Sequence, residues 1–133
     1  MSDVYEFNIA CGVPMRSTPG LPANLGELDL ARSLIDEEVN TELLKVLWEN
    51  PDDLVAVADA AIDAIYVITG LLLRLGIPGA QVWQIVQAAN MAKVDPITGQ
   101  VLRRADGKIM KPPGWEPPEE KIRALLISRG WRP

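Results

Sequence analysis

Four of the seven residues from Asp36 to Glu42 (DEEVNTE) carry carboxylates, and Asp59 and Asp63 follow on the next apolar run. At about 100° per helical residue, Glu38 and Glu42 sit about 40° apart on one helix face, while Glu37 projects well away. Asp59 and Asp63 repeat that spacing, and they are the only charged residues from Leu54 to Leu73. An ionised carboxylate taken out of water is costly unless a positive charge compensates it. A divalent cation supplies that charge. All-oxygen donors suit Mg²⁺, with Mn²⁺ as the alternative, and Glu38, Glu42, Asp59 and Asp63 are the expected ligands. The competing reading is a solvated face, with the glutamates paired to Arg32 or Lys45.

A second group of residues lies downstream. Asn90 and Lys93 fall at a helix end, and Arg103, Arg104, Lys108 and Lys111 cluster in RRADGKIMK. Lysine and arginine bind phosphate oxygens, so an anionic substrate would bridge these groups to the metal cluster. The alternative is a segment whose basic residues balance local charge. Trp115 would either stack on a base or cover the core as a lid.

Composition narrows the chemistry. The chain has no histidine and one cysteine, Cys11, which excludes Ser-His-Asp, Cys-His and zinc-type His/Cys sites. A net charge of −5 argues against nucleic acid as a partner, because a phosphate backbone demands a clustered basic surface. The apolar stretch from Ala64 to Leu73 reads as too short for a membrane span and as a buried helix, so no membrane partner is expected. With no signal-like N-terminus, the expected location is the cytoplasm. The 133 residues are expected to form one domain.

The elements that would position these groups are helical. Residues 1–26 read as an N-terminal arm and a Pro/Gly-rich loop, 27–94 as the helical core, and 95–133 as a C-terminal flap with a short helix at 119–128. In the core, one helix runs from Glu27 to about Asn50 and a second from Pro51 to about Leu75, stopped by Gly76. A third runs from Gly79 to about Val94. Turn signals at Thr98-Gly99 and Asp106-Gly107 predict a small hairpin or extended flap. The fold class expected is all-α, an antiparallel helical bundle. Its heptad-like seam through Leu54, Ala58, Ala61, Ile65, Ile68 and Leu72 predicts self-association.

Three stretches, RSLIDEEVNTELL, VADAAIDAIYVITGLLLRLGI and VQAANMAKVDPITGQVLRRADGKIMKPPGWEPP, resemble the MazG-like and phosphoribosyl-ATP pyrophosphohydrolase-like all-α enzymes. The similarity covers most of the chain, and its tail is similar to the small single-domain branch found in phages and bacteria. The resemblance implies Mg²⁺-dependent cleavage of a nucleoside triphosphate to the monophosphate and pyrophosphate, by a homodimer or tetramer. It also implies acids from an EExxE motif and an ExxD motif. Glu37 and Glu38 match the first pair, with Glu38 as catalytic base and Glu37 as its support or the two roles exchanged, and Asp59 matches the final aspartate. Asn90, Lys93, Arg104, Lys108 and Lys111 become the substrate and phosphate contacts. Thr41 and Ala56 stand where two further glutamates belong, so Glu42 and Asp63 are expected to replace them. If they do not, a nucleotide-binding relative without turnover, or a structural helical dimer, is the outcome.

Overall fold

The computed structural model describes residues 2–133, and Met1 of the expected arm lies outside the described residues. Helix α1 (Ser2–Ala10) sets Val4 into the core, where it is buried. The following loop buries Pro19 and Pro22 and ties itself to the far end of the core through a Gly20 N–H to Leu75 carbonyl bond of 3.0 Å.

Asn24 then starts the helical hairpin, accepting a hydrogen bond from Gly26 N–H at 2.9 Å. A 3₁₀ turn (Leu25–Leu28) leads into α2 (Asp29–Ile35). The chain continues without a break through a π-helical segment (Asp36–Leu43) into α3 (Leu44–Glu49). The expected helix is therefore present from Asp29 to Glu49, but its middle is wound differently. Leu44 N–H bonds to the Val39 carbonyl, five residues back, where an α-helix would use the fourth.

Residues 50–53 form a turn, and Asp53 caps α4 (Leu54–Arg74) by accepting from Val55 N–H at 3.1 Å and Ala56 N–H at 3.0 Å. Pro51 and Asp52 thus precede the helix, because the side chain able to cap it is Asp53. Helix α4 packs along the π segment and against α1, α2 and α3. Small residues make that approach close: Ala60 and Ala64 are its buried positions. The rest of α4 departs from the expected buried helix. Leu54, Val55, Ile62 and Ile65 are between 59% and 80% exposed, with nothing among the described residues covering that face. By length and composition α4 also meets the criteria for a membrane span, with 21 residues and a mean hydropathy of 1.8. The expectation of a stretch too short to span took in only its C-terminal half.

Gly76, at φ 66°, ends α4. The Ile77 N–H reaches back to the Leu72 carbonyl at 2.9 Å and the Gly76 N–H to Leu73 at 3.0 Å, a Schellman closure. A Cβ at Gly76 would collide with the Thr18 carbonyl, a backbone atom that cannot swing aside. Gly76→Ala should therefore destabilise the protein by more than about 1 kcal/mol, adding a clash to the left-handed penalty. Chemical denaturation with an unchanged m-value would measure it.

The chain divides into two compact units, one ending at Ile77 and one running from Pro78 to Pro133. In the second unit α5 (Gly79–Met91) packs on α6 (Glu119–Ser128), and Arg129 donates to Gln81 Oε1 at 2.8 Å. The segment joining these helices is made of turns and irregular backbone. It carries two isolated antiparallel bridges, Val94 with Val101 and Arg103 with Ile109, and among the described residues no strand develops from them. The described elements make the fold all-α.

Candidate functional site

Glu38 projects from the π segment toward α4. It is half-buried, and its Oε2 is shut off from solvent with no hydrogen-bond partner. That is a costly arrangement for a carboxylate, and it identifies the atom most in need of a ligand. Burial pushes the Glu38 carboxyl above the usual range, and the negative charges of Glu42, Asp63, Glu37 and Asp59 push it the same way. The five acids singled out in the sequence thus share one electrostatic neighbourhood. Asp63 is half-buried, whereas Glu37, Glu42 and Asp59 are exposed.

None of the five is neutralised by an ion pair among the described residues. Arg32 pairs instead with Asp29, at 2.7 Å. Their donors are all carboxylate oxygens and one of them is orphaned, so the set fits a hard divalent cation. Among the described residues, however, no three acidic side chains converge closely enough to ligate one ion as they stand.

A cleft of about 520 Å³ opens beside these acids, lined by Glu38 and Asp63 and otherwise largely by apolar and aromatic side chains. Phe7 and Tyr66 meet edge to face in its wall, with ring centres 6.0 Å apart. Asn8 is anchored there by donating from Nδ2 to the Val4 carbonyl at 2.7 Å, which leaves its Oδ1 as an acceptor. Because a main-chain carbonyl only accepts, that bond also fixes which way the amide faces. Gly70 lies opposite, and a Cβ there would meet Asn8 Nδ2 at an ordinary 3.5 Å. Sequence reasoning missed Phe7, Asn8, Tyr66 and Gly70, which sit among apolar helix positions and carry no motif.

In the second unit, Trp115 organises part of the basic group. Its indole N–H donates to the Ala89 carbonyl at 2.7 Å, pinning the ring on α5 as a lid. The ammonium groups of Lys93 and Lys111 lie 5.1 and 4.5 Å from the ring centre. Lys93 also donates to Asn90 Oδ1 at 2.8 Å, so Asn90, Lys93 and Lys111 gather at Trp115. Arg104 is engaged otherwise, paired with Asp106 at 3.0 Å across the turn that also carries Lys108.

A bundle of short helices that holds clustered carboxylates beside an apolar cleft defines a class of all-α, oxygen-donor sites. The family model for phosphoribosyl-ATP pyrophosphohydrolase matches residues 4–90, which include all five acids. A solved structure from Exiguobacterium sp. 255-15, described as a candidate NTP pyrophosphohydrolase, is 34% identical with a TM-score of 0.54. The match covers 80% of this chain and 66% of that one. The search of curated proteins gave no match. The chain belongs to the phosphoribosyl-ATP pyrophosphohydrolase family of MazG-like, all-α NTP pyrophosphohydrolases.

Proposed function

We propose that this chain is a Mg²⁺-dependent nucleoside triphosphate pyrophosphohydrolase that cleaves a (d)NTP to the (d)NMP and pyrophosphate. The observation that supports it best is the orphaned Glu38 Oε2 among four further unpaired carboxylates, in a chain of this family. Glu38, Glu42, Asp59 and Asp63 would hold Mg²⁺, with Mn²⁺ as a substitute. Such an ion neutralises phosphate oxygens and polarises the phosphorus centre under attack. The apolar cleft takes the nucleoside, with Phe7 and Tyr66 beside the base and Asn8 Oδ1 accepting a hydrogen bond from it. A water attacks the α-phosphorus in line, and its proton passes to a carboxylate of the Glu37-Glu38 pair. By their charge, Lys93 and Lys111, held at Trp115, are the proposed phosphate-binding groups of the second unit, and Asn90 orients Lys93. Arg104 and Lys108 are secondary contacts, since Arg104 must first leave Asp106.

One observation favours a second reading, a nucleotide-binding relative without turnover: no three acids are preassembled among the described residues. Incubation with a panel of NTPs and dNTPs plus Mg²⁺ or Mn²⁺, resolved by chromatography, separates the two. Monophosphate with pyrophosphate supports the enzyme, whereas calorimetric binding of an intact triphosphate supports the alternative.

The cleft yields its own expected result. Gly70→Leu should fill part of it and raise the nucleotide KM about tenfold or more, while Mn²⁺ binding stays near wild type. Steady-state kinetics alongside Mn²⁺ titration would check both halves. Self-association belongs to the same reading. The uncovered α4 face is expected to pair with a second copy in a homodimer or tetramer, the protein working in the cytoplasm.

A further inference from the structure

The π winding of Asp36–Leu43 has a direct effect on which side chains share a face. An α-helix turns about 100° per residue, whereas i→i+5 bonding corresponds to roughly 4.4 residues per turn, about 82° per residue. With Glu37 at the origin of an α-helix, Glu38 lies at about 100°, position 41 at about 40° and Glu42 at about 140°. Position 41 then falls between the two glutamates, and Glu42 lies beyond them. On the π turn, Glu38 lies at about 82°, Glu42 at about 50° and Thr41 about 32° outside Glu37. The two residues exchange places.

The hydrogen bonding of the segment agrees with this register, through the Leu44 N–H to Val39 carbonyl bond. Glu38 Oε2, shut off from solvent with no hydrogen-bond partner, is a separate sign that this stretch of carboxylates is built to hold a cation.

We propose that residues 36–43 carry one residue more than an α-helical version of this site, and that the π turn absorbs it, setting Glu42 between Glu37 and Glu38 as the third carboxylate. Removing Thr41 writes the surplus out of the sequence, because DEEVNTELL becomes DEEVNELL and the same acid moves to the α-helical position. Thr41 is then not a lost ligand but the inserted residue. A glutamate placed at position 41 in the full-length segment would lie outside the pair, about 114° round from Glu38 rather than between the two. This inference rests on the reading of the carboxylates as a cation site.

The test uses the full chain, with Mn²⁺ as probe followed by electron paramagnetic resonance. Glu42→Gln should weaken Mn²⁺ binding by about tenfold or more. Deletion of Thr41 should keep it within about threefold of wild type, with circular dichroism unchanged. Thr41→Glu combined with Glu42→Gln should stay as weak as Glu42→Gln alone. Unchanged binding in Glu42→Gln, or recovery in that double variant, would overturn the assignment of Glu42.

A metal-free arm examines the winding by itself. In a Cys11→Ser background, which removes the one exposed native thiol, cysteines at positions 37 and 42 should be joined by a short bifunctional reagent faster than cysteines at 38 and 41. The reverse order would show an α-helical segment and overturn the proposal, whatever the Mn²⁺ result. If the wild-type chain binds no Mn²⁺ but the 37–42 pair cross-links faster, the winding stands. The cation reading then falls, and the ligand role of Glu42 falls with it.

Discussion

Glu38→Gln should cut turnover severely and, in the same protein without metal, raise stability at neutral pH. Glu38 is the one member of the acidic group with a buried, unpartnered oxygen, so it is both the atom best placed to act and the one most costly to keep. Replacing the carboxylate by an amide of the same shape removes a cation ligand and a proton acceptor together. The expected loss in kcat/KM is on the order of 10²–10⁴-fold.

The stability gain has a definite pH dependence. Burial and the surrounding acids raise the folded-state pKa of Glu38 above its unfolded value, so the native state binds more protons than the unfolded one. The penalty is absent below the unfolded carboxylate range and grows as pH rises through the interval up to the folded value. The gain from Glu38→Gln should therefore be present at pH 7 and vanish by about pH 4. Thermal melts of metal-free protein at the two pH values would show it. Equal melting temperatures at pH 7 would mean that Glu38 bears no desolvation cost.

The second large effect concerns association. The α4 face bearing Leu54, Val55, Ile62 and Ile65 is apolar and largely exposed. A fully buried aliphatic side chain contributes roughly 1.5–3 kcal/mol, so covering even part of this face would favour the proposed pairing with a second copy. The double substitution Ile62→Glu, Ile65→Glu should convert an oligomer to a monomer at micromolar concentration and lower the melting temperature. Analytical ultracentrifugation decides the matter. A wild-type chain that is monomeric at high concentration would contradict the pairing.

The parts of this fold legible in the sequence are those governed by local rules. Gly76 stops α4 because a left-handed residue is needed there, and α6 occupies the expected 119–128 because its proline-rich approach and acidic first turn mark its start. The acids were legible as well, because carboxylates interrupting apolar helices stand out in any period. Their arrangement was not. A fixed 100° period placed Glu37 away from Glu42, while the π segment brings the two to one face.

Covering, too, was illegible. An apolar period says that a face wants burial and not what buries it, so Leu54 and Ile65, read as parts of one apolar seam, emerge exposed. The association of Lys93 and Lys111 with one indole depends on a hydrogen bond from Trp115 to Ala89, across a stretch of chain that no local pattern links.

The central claim, hydrolysis between the α and β phosphates, is tested most directly by running the reaction in ¹⁸O-labelled water with Mg²⁺ and following the products by ³¹P NMR and mass spectrometry. The account predicts nucleoside monophosphate carrying the label and unlabelled pyrophosphate, with both formed far more slowly by Glu38→Gln. Label in the pyrophosphate, release of inorganic phosphate with a diphosphate, or intact triphosphate with every nucleotide would contradict it.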